Sequence, residues 1–252
     1  SYRKIRNTFR YLLGNLNDNF EKIDLQKIDL KNLPELEQFM LHKIYCLNLE
    51  FDKYFKNYDF HNLYKEILNF CTVDLSAFYF DIRKDTLYCD PKNSEKRKST
   101  LIILNIILDA LLRWFAPILS FTTEEIYQLV FKKNKSIHLE KFLKFPENFK
   151  NDELNQKWLE LIKIRNKCNI SIEEKRASKE IGSSLEAELN IKINNKFKNI
   201  FKDIDFSELC ITSKAEITYD EAAKLEVITT KMQGKKCPIC WKISSEACIR
   251  HP

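Results

Sequence analysis

The sequence predicts a mainly α-helical protein, in which an antiparallel bundle of helices is followed by a smaller part that mixes helix and strand. Only three of the 252 residues are glycine and six are proline, which leaves little material for tight turns. Apolar residues recur at steps of three and four through residues 1–145, as the buried faces of helices require. Alternation of apolar and polar residues, which is typical of a half-buried strand, comes only later.

Four or five long helices are expected in the first part of the chain. Pro34 suits the first turn of the second helix, where the missing N–H would have no partner anyway. Thr122 and Glu125 have the spacing of a capping box and predict the start of a helix after the fourth. The first three helices are predicted from apolar positions at Tyr2, Ile5, Phe9, Leu12, Leu13 and Leu16; at Leu36, Met40, Ile44, Leu47, Phe51 and Tyr54; and at Phe60, Leu63, Ile67, Phe70 and Phe78.

The fourth helix, at residues 101–119, is apolar enough to raise the question of a membrane span. Its polar residues Asn105, Asp109 and Arg113 are spaced four apart and therefore form one stripe, on which Asp109 and Arg113 can pair. This pattern describes a central helix of a bundle, so no membrane span is expected.

A domain boundary is expected at residues 141–151, where Pro146 interrupts the helical pattern. Beyond it, a long helix is predicted over residues 152–179, and Gly182 provides a stop.

Strands are expected after this helix. The alternation over residues 185–193 predicts a half-buried strand, and β-like runs at 209–212 and 226–230 could pair with it. The predicted organisation is a helical bundle over residues 1–145, a small α+β junction domain over 146–230 and a terminal module over 231–252.

Five of the eight cysteines are scattered through apolar or helical stretches without the spacing of a disulfide framework. They are interpreted as free thiols in a reducing compartment, which predicts a cytoplasmic protein. The sequence opens without a signal peptide or a start methionine, as expected of a piece of a longer polypeptide. The five scattered cysteines are Cys46, Cys71, Cys89, Cys168 and Cys210.

The other three cysteines lie in the last sixteen residues, in a pattern that predicts a metal site. Cys237 and Cys240 are separated by two residues, as are Cys248 and His251, and seven residues lie between the pairs. This is zinc-ribbon spacing, in which each pair reaches one tetrahedral ion from a tight knuckle. A segment this short cannot bury its own core, so a structural zinc ion would supply most of its folding free energy. The alternative is a disordered tail with free thiols.

The net charge of +6 permits a polyanionic partner such as RNA. Arg3, Arg6 and Arg10 fall on nearly one face of the first helix and are candidates for binding phosphates. The alternatives are an ordinary solvated face, or arginines paired with acids on neighbouring helices.

Basic residues also surround the predicted ribbon and its tryptophan. An aromatic ring among cations on a zinc knuckle suits stacking on an unpaired base. Alternatively, the tryptophan is the small core of the knuckle itself. The candidates for RNA binding are Lys235, Lys236, Trp241, Lys242 and Arg250.

No catalytic constellation emerges from the sequence. His42, His61 and His138 stand alone within helical or loop segments. No histidine or nucleophile stands beside Asp74, Asp81 or Asp85 in the sequence. No catalytic role is assigned to any residue.

Residues 2–16, 74–85, 113–125 and 181–187, followed by the terminal Cys-Pro-Ile-Cys-Trp, resemble blocks that occur in this order in bacterial-type isoleucyl-tRNA synthetases. The first three blocks are shared loosely with the leucine, valine and methionine relatives. The Gly-Ser-Ser-Leu-Glu-Ala block and the ribbon point to isoleucine. The resemblance implies the anticodon-binding domain of a class I synthetase, with tRNA(Ile) as partner, a structural Zn²⁺ ion, and neither DNA nor a membrane as partner.

The sequence also departs from the family pattern. The usual fourth zinc ligand is a cysteine, whereas His251 stands at that position here; imidazole is an acceptable substitute. The H-I-G-H and K-M-S-K-S signatures that hold ATP do not occur. The resemblance therefore implies that ATP-dependent ligation of isoleucine resides in an upstream catalytic domain, covalently continuous with this piece, and that the piece alone is not catalytic.

Three other functions stay open at this point. The chain could belong to a related leucine, valine or methionine synthetase. It could be a stand-alone zinc-ribbon module that binds nucleic acid. The third alternative is a purely structural helical scaffold.

Overall fold

The computed structural model describes residues 1–17, 19–131, 135–248 and 250–251. The chain divides into two compact units, Ser1–Asp152 and Glu153–Pro252. The prediction of a mainly helical fold with a small sheet is confirmed, and the finer division into three domains stays a prediction. Within the four described ranges, no helix has the length and apolar character that crossing a membrane requires.

The first unit is helical throughout, with a central helix whose residues Ile103–Phe115 are all buried. This explains why that segment is apolar on almost every side. The predicted pairing within it is confirmed, since Arg113 Nε donates to Asp109 Oδ1 at 2.8 Å. The helices are α1 Tyr2–Leu16, α2 Glu35–Lys56, α3 Phe60–Asn69, a π-helical stretch Phe70–Tyr79, α4 Phe80–Cys89, α5 Glu95–Phe115 and α6 Ser120–Phe131.

Two details of the predicted bundle are wrong. Helix α6 begins at Ser120, so Thr122 lies inside its first turn and does not cap it. Phe60, which the periodicity placed in the core, is 42% exposed. It is the first residue of α3 and packs at the surface, with its ring edge-on to Phe55 and Tyr58 at centroid distances of 6.0 and 6.3 Å. Periodicity locates the apolar face of a helix, but it does not show which residues of that face are covered by other helices.

The first unit also contains a buried ion pair that joins two helices. Arg83 of α4 donates to both carboxylate oxygens of Glu37 of α2, from Nε at 2.6 Å and from Nη2 at 2.5 Å. The Tyr79 hydroxyl donates to Glu37 at 3.1 Å and the Thr100 hydroxyl at 3.3 Å. Three side chains therefore donate hydrogen bonds to the same carboxylate. A buried charge needs such a partner of opposite charge and such hydrogen bonds to be stable.

The second unit begins with a long helix and continues into a three-stranded sheet of order β2-β1-β3. Strand β1 pairs in parallel with β2 and antiparallel with β3, and Ile191 at its centre lies opposite Ile217 and Val227. The strands predicted near 185–193 and 226–230 are confirmed. The elements are α7 Asp152–Ala177, β1 Ala187–Asn194, α8 Phe206–Leu209, β2 Lys214–Asp220, β3 Glu226–Lys231, β4 Lys235–Lys236 and β5 Ile243–Ser244.

The strand predicted at residues 209–212 is wrong. The short helix α8 ends at Leu209, in the first part of this range. It begins after Asp205, whose carboxylate accepts hydrogen bonds from the backbone N–H groups of Ser207 and Glu208 at 2.9 and 3.1 Å. Such a side-chain cap satisfies the first N–H groups of a helix and favours it over a strand. The pairing strand is β2 instead, which begins at Lys214.

Candidate metal centre and basic surfaces

The metal-ligand pattern lies on two tight turns next to the small β4–β5 hairpin. In the first turn, Cys237 N–H donates to the Lys242 carbonyl at 2.9 Å, and Trp241 N–H donates to the Cys237 carbonyl at 3.0 Å. In the second, His251 N–H donates to the Cys248 carbonyl at 3.0 Å. Each turn brings the two side chains of one pair to the same side, as a zinc knuckle does.

The four side chains of these turns converge, with all ligand atoms of Cys237, Cys240, Cys248 and His251 within 4.8 Å of one another. The Sγ atoms of Cys240 and Cys248 are 3.9 Å apart, and His251 Nδ1 lies 3.6 Å from Sγ of both Cys237 and Cys248. A tetrahedral ion with ordinary zinc–sulfur and zinc–nitrogen distances requires about 3.8 Å between two sulfurs and about 3.6 Å between sulfur and nitrogen. These four residues could therefore hold a metal ion.

The backbone prepares one of the thiols for metal binding. The N–H groups of Cys240 and Ile239 point at the Cys237 sulfur and lower its pKa to about 6. Burial instead raises the pKa of Cys240 to about 11. For Cys248, burial opposes ionisation, but the Arg250 N–H and the His251 side chain outweigh it and lower the pKa. Because a metal binds the thiolate, the knuckle geometry favours the ligand form at two of the three cysteines.

Gly234 allows the hairpin that carries the first knuckle to close. Its φ of 141° lies in a region that side chains other than glycine rarely adopt. A Cβ atom there would overlap the Ser244 carbonyl and approach the Ser245 nitrogen to 2.9 Å. The two strands of the hairpin therefore approach each other at a position where only glycine fits.

We expect Gly234→Ala to weaken metal binding by the cluster by about 10-fold or more, because strain of this kind costs about 1–3 kcal/mol. The measurement is a Zn²⁺ titration in competition with a chromophoric chelator. Gly14→Ala is the matched control, since the Cβ added in helix α1 would meet nothing within 4 Å apart from the backbone of its own helix and its chain neighbours. Equal zinc affinity of Gly234→Ala and wild type would show that the hairpin does not have to close for metal binding.

Ser213 ties the hairpin to the rest of the second unit, a role that no sequence motif indicates. Its hydroxyl donates to the Leu185 carbonyl at 2.5 Å and accepts from the Ile243 N–H at 2.6 Å. Leu185 lies in the 3-10 turn Ser184–Glu186 that leads into β1, whereas Ile243 lies in β5. One side chain thus links the sheet to the knuckle.

Trp241 is 59% exposed, so it does not form a core for the knuckle. The Lys236 Nζ atom lies over its ring, 5.5 Å from the centroid. Lys235 and Lys236 are exposed, whereas Lys242 and Arg250 are half-buried. The structure therefore presents an accessible ring beside cations, which is the arrangement that the stacking hypothesis requires.

The three arginines of α1 are exposed on the side away from the core. Ile5, Phe9 and Leu12 form the buried face of the same helix. Among the residues that the structure describes, no carboxylate forms an ion pair with Arg3, Arg6 or Arg10. The alternative of arginines paired with acids on neighbouring helices therefore finds no support in the described ranges.

Among the described residues, the other histidines and cysteines do not form a second metal-ligand cluster. His42 Nδ1 accepts the Asn151 N–H at 2.9 Å, and burial lowers its pKa, so it serves as a structural acceptor. All eight cysteines are free thiols, as predicted for the five outside the cluster. Within the described part of the chain, the cluster of Cys237, Cys240, Cys248 and His251 is the one group of this kind.

The family model for the anticodon-binding domain of tRNA ligases matches residues 37–193 of the chain, from helix α2 to strand β1. The chain belongs to this family. Its curated relatives are isoleucine--tRNA ligases, and the chain corresponds to a C-terminal part of them, which confirms the resemblance.

The similarity to individual relatives extends beyond the family model to α1 and the metal cluster. The chain is 65% identical over 251 residues to the isoleucine--tRNA ligase of Pelagibacter ubique, covering 100% of the chain and 28% of the relative. It is 38% identical over 258 residues to that of Agrobacterium fabrum, covering 98% and 26%. For Zymomonas mobilis the identity is 38% over 246 residues, covering 96% and 26%. The chain thus spans about a quarter of the length of the relatives it matches.

Proposed function

We propose that this chain recognises the anticodon arm of tRNA(Ile) as part of an isoleucine--tRNA ligase that works in the cytoplasm. The observation that carries the proposal is the 65% identity over the whole chain to an isoleucine--tRNA ligase. Membership in the anticodon-binding family supports tRNA as the partner. Binding energy gathered here would position the tRNA for transfer of isoleucine, an ATP-dependent step assigned to an upstream catalytic domain.

We further propose that the metal is a structural Zn²⁺ ion held by Cys237, Cys240, Cys248 and His251. The supporting observations are the three thiols, the single imidazole and tetrahedral spacing among them. An ion with four protein ligands has no open position for water, so it would hold the two knuckles together and would not catalyse hydrolysis.

The candidate RNA-binding residues divide into two kinds of contact. Arg3, Arg6 and Arg10 would bind phosphates along the arm, as would the cations beside the metal cluster. Trp241 would stack on an unpaired base, since aromatic faces do so with little preference for base identity. The cations beside the cluster are Lys235, Lys236, Lys242 and Arg250.

We expect Arg3→Ala/Arg6→Ala/Arg10→Ala to weaken binding to all tRNAs about equally and to reduce the salt slope by about 2–3, because each lost phosphate contact removes about 0.7–0.9. The measurement is the affinity of the purified chain for tRNA(Ile) over a range of salt concentrations. The matched control removes three exposed cations that pair within their own helices, Lys53, Lys56 and Lys98. An unchanged slope in the arginine variant would mean that these arginines do not contact phosphate.

The same assay separates the competing functions. Preference for tRNA(Ile) over the leucine, valine and methionine tRNAs supports the proposal, whereas preference for one of those would move the chain to a related synthetase. Equal binding of duplex DNA would favour a stand-alone nucleic-acid module. Failure to bind any RNA at low salt would favour a structural scaffold. The chain alone is expected to show no isoleucine-dependent exchange between ATP and pyrophosphate.

A further inference from the structure

His42 of helix α2 is a buried histidine that holds the backbone just before helix α7. The residue is 3% exposed, and its Nδ1 atom accepts a hydrogen bond from the Asn151 N–H at 2.9 Å. Asn151 immediately precedes α7, which begins at Asp152, the last residue of the first compact unit. The ring therefore fixes the backbone at the point in the sequence where one unit ends and the other begins.

This hydrogen bond requires a neutral ring. A nitrogen that accepts an N–H carries no proton itself, so the single ring proton of the neutral form lies on Nε2 of His42. The Nε2 atom is 3.5 Å from the Sγ atom of Cys46, one turn further along α2. Protonation of Nδ1 would turn its N–H toward the Asn151 N–H and would place a charge on a buried ring. The hydrogen bond would therefore be lost.

The surroundings of the ring favour its neutral form. Burial is the largest cause that lowers the pKa of His42 below its usual value. The Asp152 carboxylate opposes this shift, whereas the ammonium groups of Lys43 and Lys150 add to it. The carboxylate is also shared, because Lys150 Nζ forms an ion pair with Asp152 at 3.2 Å. The neighbouring Cys46 thiol stays neutral at physiological pH, because burial raises its pKa.

We propose that the hydrogen bond between Asn151 and His42 is a pH-sensitive contact, which forms when the ring is neutral and breaks when the ring is protonated. With the contact broken, the ring is accessible to water and titrates near the usual histidine pKa of about 6.5. The closed form binds the proton less readily than this open form, so it is fully stable only above that pH. Its stability falls as the pH drops through about 6.5, and the fall ends below the lowered pKa of the buried ring. Mild acidification therefore loosens the backbone at Asn151.

The test measures hydrogen exchange of the Asn151 amide in the whole chain by NMR, relative to the intrinsic exchange rate at each pH. Between pH 7.5 and pH 5, we expect protection in wild type to fall several-fold. The limit is about 30-fold, which is set by an open ring that titrates at about 6.5. His42→Asn places an amide oxygen near the position of Nδ1 but does not titrate in this range. Protection in this variant should therefore be the same at both pH values.

His61→Asn is the matched control, because His61 is exposed in α3 and its loss should leave the pH dependence at Asn151 as in wild type. The ring nitrogens of wild type give a second readout that needs no variant. Their NMR shifts should show Nδ1 of His42 unprotonated at pH 7.5, and protonated over the same pH range in which the Asn151 amide loses protection.

Three results would overturn the proposal. The first is protection of Asn151 in wild type that does not change between pH 7.5 and pH 5. The second is a ring with its proton on Nδ1 at pH 7.5. The third is an equal loss of protection in the central helix α5, because acid would then open the whole first unit and not this one contact.

Discussion

Replacing Glu37 with alanine is expected to destabilise the helical unit by about 3–5 kcal/mol, because Arg83 would remain buried without its carboxylate. Glu37 is 0% exposed and accepts from Arg83, Tyr79 and Thr100. Burial is the main cause that raises the pKa of Tyr79 well above its usual value, and the Glu37 charge adds to it. The tyrosine therefore stays a neutral donor. The measurement is the free energy of unfolding of the chain in urea, followed by helical circular dichroism.

Two further variants show whether the loss comes from the unpaired charge. Glu95→Ala removes a carboxylate of the exposed Lys98 pair and should cost less than about 1 kcal/mol. The double variant Glu37→Met/Arg83→Met removes both buried charges and should recover much of the stability, because apolar side chains of similar volume can replace a buried pair. If Glu37→Ala were as stable as Glu95→Ala, the buried pair would not be holding α2 to α4.

The sequence predicted those features that depend on neighbours along the chain. Helix periodicity and the Asp109–Arg113 pair are local, since residues four apart on a helix always meet. The Glu37–Arg83 pair joins residues 46 positions apart, and no pattern in the sequence connects them. Sequence spacing identified α2, whereas α4 lies beyond the third predicted helix, and only the packing of the two helices brings the two charges together.

The metal ligands illustrate the same limit within one site. The pairs Cys237–Cys240 and Cys248–His251 were predicted because a knuckle requires two ligands separated by two residues. Gly234 and Ser213, which close the hairpin and tie it to the sheet, act through backbone atoms of Ser244, Leu185 and Ile243. The sequence around a glycine or serine outside a motif does not indicate such contacts.

The sequence did not predict whether the rings of Trp241 and Phe121 are exposed. A tryptophan next to a cysteine pair is compatible with a small core or with a free surface, and only the structure shows that Trp241 is open. In the sequence, Phe121 stands between the apolar segment 101–119 and the polar residues 122–125, so periodicity does not predict whether it is buried. Whether a side chain is buried depends on which other helix packs against it, and this packing cannot be inferred from the amino-acid composition.

Cys240→Ser is expected to reduce the zinc content of the purified chain from near one ion per chain to near zero. A serine hydroxyl is a poor substitute for a thiolate at a soft metal site, and the hairpin has too few apolar residues to hold the remaining ligands in place. Binding of structural zinc contributes about 10–16 kcal/mol to small modules of this kind, so its loss should unfold the segment around the knuckles. The measurement is elemental analysis after gel filtration, with helical circular dichroism to monitor the first unit.

The helical signal should survive this substitution, because Ser1–Asp152 forms a compact unit with its own core. His251→Ala should lose less zinc than Cys240→Ser, since water can occupy the fourth position and three thiolates remain. Cys89→Ser, outside the cluster, is the matched control and should keep a full complement of metal. If the metal cluster takes part in RNA binding, Cys240→Ser should bind tRNA(Ile) more weakly while its helicity is unchanged. Stoichiometric zinc in Cys240→Ser, or none in wild type prepared without chelator, would contradict the assignment.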